Sequence, residues 1–250
     1  MRPTITLLTD FGTADGYVAQ MKGVMLGVAP DATLVDVTHD IRAQDVEAAR
    51  LVLDRYWRRF PEGTVHLVVV DPGVGSPRAA LAVAAAGRFL VGPDNGVLSP
   101  GLACDEAQVV ALDIPPDASA TFHGRDVFAP AAARLATGAP LEELGTPHPC
   151  PVIRQTSVPA VHEDGAIVGE VVTIDRFGNA ITNVPGPLPG YRVWIGAMPL
   201  PVLRTYAEVA PGDPLALTGS SGLIEIAVRE GNAAQRLALT RGMTVLLRRH

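Results

Sequence analysis

Leu67-Val68-Val69-Val70-Asp71-Pro72-Gly73-Val74-Gly75-Ser76-Pro77-Arg78 is the stretch on which the fold turns. Four apolar residues in a row, three of them β-branched, have the texture of a strand buried on both faces. In open α/β sheets such strands end at the crevice where ligands sit. This one delivers a carboxylate, Asp71, at its carboxyl end, and a turn rich in glycine and proline then leads to a guanidinium, Arg78. Glycine lets a backbone approach a ligand closely, and proline fixes φ. In isolation the same turn also reads as a surface bend with a solvated ion pair, because turns collect Asp, Gly and Pro.

The flanking sequence repeats the strand–helix grammar. Thr4 to Leu8 predicts a short strand ending near Asp10, and Tyr17 to Val28 has helical spacing with Pro30 as its stop. Thr33 to Val37 is strand-like. Asp45 is placed to cap a helix whose apolar positions Val46, Ala49, Val52, Leu53, Tyr56, Trp57 and Phe60 share one face. This alternation predicts an N-terminal three-layer α/β domain with a mainly parallel sheet. Ala79 to Ala86 reads equally as a helix or, with Gly87-Arg88 and Phe89-Leu90-Val91, as a hairpin. Asp126 is expected to cap a helix running through Val127, Phe128, Ala131, Ala132 and Leu135 and closed by Gly138. Pro147, Pro149, Pro151 and Pro159 punctuate a stretch that reads as a linker. Beyond it, short apolar runs separated by Gly and Pro turns predict a smaller all-β, barrel-like domain. The expected organisation is an α/β domain over 1–150, a Pro-rich linker over 151–165 and a C-terminal β-barrel domain over 166–250.

With 250 residues, 48% hydrophobic and 18% charged, the chain has ample material for a core in one large domain or two smaller ones. A net charge of −6 without a basic stripe argues against nucleic acid or an anionic membrane as partner. Cys104 and Cys150 fit neither a zinc knuckle nor a disulfide framework. The apolar run Ile5 to Leu8 is too short for a signal peptide, and no run approaches a bilayer span, so a cytoplasmic location is expected. No histidine–carboxylate cluster has metal-ligand spacing, and no metal is expected.

Several polar clusters fall at the predicted element ends. Thr9-Asp10-Phe11-Gly12 follows the first strand; its D-F-G triplet lacks every other kinase motif. Asp71-x-Gly-x-Gly is similar to the opening of a class I methyltransferase loop, in which Asp94 would hold a ribose, although the third glycine is missing. Gly92-Pro93-Asp94-Asn95-Gly96 is a strong turn signal. Thr121-Phe122-His123-Gly124-Arg125-Asp126 sets a histidine just ahead of a helix start, whereas His39 and His66 read as structural. In the C-terminal part, Asp175-Arg176-Phe177-Gly178-Asn179 joins an acid, an aromatic face and an amide, a set able to stack on a purine and read its edge. Ser220-Ser221-Gly222 and Gly231-Asn232-Ala233-Ala234 offer small groups and free backbone.

Taken together and in order, Thr9 to Gly12, Asp71 to Gly75, Arg78, Gly92 to Gly96, Phe122 to Asp126, Asp175 to Asn179 and Gly231 to Ala234 resemble the S-adenosyl-L-methionine (SAM) hydrolase family, the SAM hydroxide adenosyltransferases, which are related to fluorinase and chlorinase. The resemblance spans nearly the whole chain. It implies an N-terminal α/β domain, a C-terminal β-barrel and a homotrimer with active sites at subunit interfaces. It implies SAM as substrate, adenosine and L-methionine as products, and no cofactor. The family's catalytic Asp–Arg–His set falls on Asp71, Arg78 and His123. By the same carry-over, Asp10 holds the ribose hydroxyls, and Asp15 and Tyr17 lie near the methionine portion, with Phe122 among the substrate-binding positions. Phe177 and Asn179 meet the adenine, Ala233 contributes backbone, Asp175 and Ser220 hold the amino-acid end, and Glu225 joins the substrate-binding set.

The implied chemistry is in-line attack of water or hydroxide on the ribose C5′. Sulfonium is already a good leaving group, so the nucleophile is the difficulty. Free hydroxide at pH 7 costs roughly 12 kcal/mol. A cation beside the water lowers that cost, and a histidine offers a hydrogen bond or takes a proton. A halide needs no proton removed and is repelled by a carboxylate; the halogenases carry no acid at the equivalent of Asp71. A hydrolase is therefore expected, with a chloride-using halogenase, a methyltransferase and a non-catalytic SAM- or adenosine-binding protein as the alternatives.

Overall fold

The computed structural model describes residues 2–249. The chain divides into two compact units between Gln155 and Thr156. The first unit runs β1(Thr4–Thr9), α1(Tyr17–Val28), β2(Thr33–Thr38), α2(Val46–Tyr56), β3(Val65–Val69), β4(Ala80–Ala85), β5(Arg88–Pro93), α3(Ser99–Leu102), β6(Gln108–Leu112), α4(Ala129–Ala136) and β7(Gly145–Pro147). Its seven strands form one sheet in the order β2-β1-β3-β5-β4-β6-β7. The pairings β2–β1 and β1–β3 are parallel, as crossovers through α1 and α2 require, and β3–β5 is parallel too, with β4 between them in sequence. From β5 outward the pairings are antiparallel. The change of sense is made by the Ala79–Ala86 segment, which is a strand of a tight hairpin. Ala86 and Gly87, both at positive φ, form its turn.

Two apolar layers sandwich this sheet. Ile5, Leu7, Leu67 and Val69 pack against Met21 and Met25 of α1 and Ala132 and Leu135 of α4. Leu8, Val68 and Val70 pack on the other side against Ala49 and Leu53 of α2 and Trp57 just beyond it. Alternate residues of β3 serve the two layers, which is why its sequence is apolar except at His66. Each large side chain buried here contributes about 1.5–3 kcal/mol. α2 begins where Asp45 accepts a bond from Ala48 N at 2.9 Å, as its sequence predicts.

Asp126 does not cap a helix. The helical backbone starts earlier, with a π-turn over Gly124–Phe128 that leads into α4, so Asp126 lies inside it. Its carboxylate turns back to accept Ser119 N at 2.9 Å and to pair with Arg125. The proline-rich stretch is built into structure at both ends: Gly145–Pro147 pairs with β6, and β8(Ala160–Val161) pairs with the strand that follows it.

The second unit contains β8, β9(Ile167–Ile174), β10(Ala180–Pro185), β11(Tyr191–Ile195), β12(Met198–Leu203), β13(Pro214–Thr218), β14(Leu223–Val228), α5(Ala233–Arg236) and β15(Thr244–Arg249). Its sheet order is β10-β14-β13-β12-β11-β15-β9-β8, and β9 also pairs with β10. That pairing closes seven strands into a barrel, with β8 as an appendage on β9. Val171, Val193, Ile224, Ile226, Val245 and Leu247 fill its interior. No helix among the described residues is long and apolar enough to cross a membrane.

Candidate active site

β1 lies between β2 and β3, so the chain leaves β1 in one direction and returns on its other side. The carboxyl ends of β1 and β3 therefore flank a topological switch point, the place where open α/β sheets bind ligands. Thr9 and Val69 are paired across these strands, and Asp10 and Asp71 follow just beyond. Arg78 reaches back across its turn to hold Asp71 with two donors, Nε to Oδ1 at 3.0 Å and Nη2 to Oδ2. The two side chains are 9% and 5% exposed, so the pair is sheltered from solvent screening. Arg78 Nη2 also lies 2.9 Å from His123 Nδ1. The guanidinium stands over the Phe128 ring at 5.3 Å. Two residues of one turn and a histidine 45 positions further on thus form one contiguous polar cluster.

Hydrogen-bond valence fixes the protonation of this cluster. Arginine only donates, so His123 Nδ1 must accept, and the imidazole proton sits on Nε2. Burial, and then the Arg78 charge, push the His123 pKa below the usual histidine value, against the opposing pull of Asp71 and Asp126. Four of the five arginine N–H groups are engaged, by Asp71 twice, His123 and the Ala79 carbonyl at 3.2 Å. One N–H on Nη1 and the His123 Nε2–H remain for a ligand. The lone pair at His123 Nδ1 is spent on Arg78; Asp71 alone of the three keeps lone pairs free.

The other first-unit candidates surround the same strand ends. Asp10 Oδ2 accepts Gln44 N at 2.7 Å, with Gln44 held at φ 67°. Phe11, Tyr17 and Phe122 pack edge to face, with centroids 5.3–6.0 Å apart, and Arg125 covers Phe122 at 5.0 Å. Asp15 is exposed in the loop before α1. His39 and His66 are buried: His39 Nδ1 meets Thr9 Oγ1 at 2.8 Å, and His66 Nδ1 meets Thr6 Oγ1 at 2.8 Å. Burial and the Arg88 charge push the His66 pKa down to about 4, in keeping with a neutral structural residue. Asp94, the ribose acid of the methyltransferase alternative, is engaged within the protein: its carboxylate accepts Val152 N at 2.7 Å and pairs with His148.

The remaining candidates lie in the second unit. Asp175 Oδ1 accepts the backbone N–H groups of Phe177 and Asn179, each at 2.9 Å, and Oδ2 accepts Asn179 Nδ2 at 3.1 Å. This internally bonded turn leaves the Phe177 ring 75% exposed, an unusual cost for a phenylalanine and a ready stacking face. Gly178, at φ 85°, lies so close to Asn232 that no side chain fits, and its carbonyl accepts Ala234 N at 2.8 Å. That brings the Gly231–Ala234 segment, with buried Ala233, against the Asp175–Asn179 turn. Glu225 is buried on β14, and Tyr206 Oη donates to its Oε1 at 2.6 Å. Burial and then the Glu225 and Asp175 carboxylates raise the Tyr206 pKa. Ser220 sits exposed in the turn that ends β13. Tyr206 escaped the sequence reading because nothing local ties it to Glu225. Asn95, which bonds the Val70 carbonyl at 2.9 Å, was visible only as part of a turn.

Comparison with known proteins gives the family. Residues 5–145 match the SAM hydroxide adenosyltransferase N-terminal domain, and residues 169–246 match the C-terminal domain of the same family. The chain belongs to the SAM hydroxide adenosyltransferase family. It is 44% identical to an (R)-S-adenosyl-L-methionine hydrolase of Thermus thermophilus, over 99% of this chain and 100% of that protein. A Salinispora tropica protein of the same name is 40% identical, over 96% of this chain and 95% of its own length. A fluorinase from Actinopolyspora mzabensis is 30% identical over 99% and 98%. A crystal structure of a conserved protein from Thermotoga maritima superposes with a TM-score of 0.90 at 34% identity, covering 98% of this chain and all of that one.

Proposed function

We propose that this member of the SAM hydroxide adenosyltransferase family hydrolyses SAM to adenosine and L-methionine. The observation that carries the reading is the sheltered Asp71–Arg78–His123 cluster at the switch point, supported by relatives named as SAM hydrolases. Water attacks the ribose C5′, the C5′–S bond breaks with its electron pair going to sulfur, and the sulfonium becomes the neutral thioether of methionine. The water loses one proton overall. The free Arg78 N–H and the His123 Nε2–H stabilise the hydroxide-like oxygen. Asp71, the one member of the cluster with lone pairs to spare, takes the proton late, when C–O bond formation has made it acidic. His123 is thus assigned as a donor, not as the base.

Asp10 is assigned to the ribose hydroxyls, Asp15, Tyr17 and Phe122 to the side of the pocket around the methionine chain, and Phe177, Asn179 and the Ala233 backbone to adenine. Asp175, Ser220 and Glu225 are assigned to the amino-acid end. A homotrimer, with no metal or other cofactor, in the cytoplasm completes the reading. Among the described residues no group of three or more His, Cys, Asp or Glu side chains is placed to hold a metal ion.

Purified protein incubated with SAM and resolved by chromatography tests the assignment. Adenosine with an equal amount of methionine supports it. A chlorinated nucleoside in high chloride points instead to the halogenase reading, which the fluorinase relatives favour and the Asp71 carboxylate disfavours. S-adenosylhomocysteine formed with an acceptor indicates a methyltransferase, and calorimetric binding without turnover a binding protein.

A further inference from the structure

The turn Gly92-Pro93-Asp94-Asn95-Gly96 supplies no group to the triad, yet it bonds the chain on both sides of it. Asn95 Nδ2 donates to the carbonyl of Val70, the residue before Asp71, at 2.9 Å. Asp94 N donates to the carbonyl of Ala79, the residue after Arg78, at 3.0 Å. That same carbonyl accepts Arg78 Nη1 at 3.2 Å, so its direction steers the guanidinium. Gly92 lies so close to the Val68 carbonyl that a Cβ has no room.

The turn is itself anchored. Val97 N donates to Asn95 Oδ1 at 3.1 Å, and Ser99 Oγ donates to the Gly96 carbonyl at 2.7 Å. Val152 N and His148 hold the Asp94 carboxylate, and Arg154 Nε donates to the Asn95 carbonyl at 2.8 Å. Bonds of this kind spread over residues 92–154 exceed what a surface bend needs.

We propose that Asn95 is a positioning residue for the triad: its side-chain amide fixes the peptide that presents Asp71, while the Asp94 N–H beside it fixes the carbonyl that steers Arg78. The role rests on the triad being the hydrolytic machinery. Small displacements of reacting groups cost large factors in rate, up to about a hundredfold for 1 Å.

Asn95→Ser separates positioning from mere folding. A serine hydroxyl can still accept Val97 N, preserving the turn, but it does not reach Val70. Asn95→Asp keeps the same acceptor and turns an oxygen toward the Val70 carbonyl. Expected in both is a fall in kcat of about tenfold or more per adenosine-binding site, larger for Asp, with KM for SAM held within about twofold. A kcat within about twofold of the unmodified enzyme in both variants, whatever happens to Tm, overturns the proposal. Nitrogen-15 spectra of the His123 ring read the brace without turnover. Its Nδ1 signal is expected to shift in Asn95→Ser as the Arg78 contact loosens, and an unchanged signal argues against the brace. Should the unmodified protein form no adenosine, the hydrolase reading fails, while these spectra still decide the brace. Should neither Asn95 variant fold, His148→Gln loosens the turn from its outer side: a lower kcat at constant KM supports the role, and an unchanged kcat removes it.

Discussion

Arg78 holds the cluster together because a guanidinium offers donors in several directions and no lone pair in any. It grips Asp71 with two of them and obliges His123 to present Nδ1 as an acceptor. Removing the charge of Asp71 leaves a sheltered cation without its partner and removes the member of the cluster that is free to take a proton. Asp71→Asn is therefore expected to lower kcat by about a hundredfold or more while adenosine affinity, read by calorimetry, changes little. Full activity in that variant removes Asp71 from the mechanism. His123 carries a signature in pH. Its lowered pKa keeps the ring neutral through pH 7, and protonation at Nδ1 on acidification sets two donors against each other. The active form is thus present above the lowered pKa and lost as pH falls through it. An acid limb in kcat/KM is expected with a midpoint below about 6.5, and it should vanish in His123→Asn. A limb that persists in that variant belongs to another group.

Turns at strand ends do the positioning, and they explain what was and was not legible beforehand. The β3 run was decisive in sequence because burial on both faces leaves a continuous apolar signature. The carboxylate at its end could be seen, but its geometry could not. That geometry depends on a glycine with no side chain to read: Gly75, at φ 77°, lies where a Cβ would come 2.6 Å from the carbonyl of Ala120, in the loop that leads to His123. Gly75→Ala is expected to push that loop away and to strain the turn, lowering Tm through a loss of about 1–2 kcal/mol and activity by about tenfold. Thermal unfolding and initial rates check both. The Ala79–Ala86 segment was ambiguous because alanine favours helix, while its partner strands lie outside any local window. Asp126 misled for the opposite reason: an acid before an apolar helical run normally caps it, whereas here a π-turn begins earlier and the carboxylate serves Ser119.

On the scale of the molecule, the chain carries two sets of candidate residues, one in each unit. The C-terminal set shows how far sequence alone can go. Asp175 to Asn179 announced an acid, an aromatic and an amide, and the structure bonds them into one turn with the ring outward. Tyr206, joined to Glu225 only by the barrel, had no sequence signal. A homotrimer predicts a mass in solution three times that of the chain; light scattering showing a stable monomer that still turns over SAM contradicts it. The hydrolase reading itself is tested most directly by turnover of SAM in heavy-oxygen water, with mass spectrometry of the nucleoside. Adenosine carrying the heavy oxygen at its 5′ position, with unlabelled methionine, is the expected result. Unlabelled adenosine, a halogenated nucleoside or S-adenosylhomocysteine would contradict attack of water at C5′.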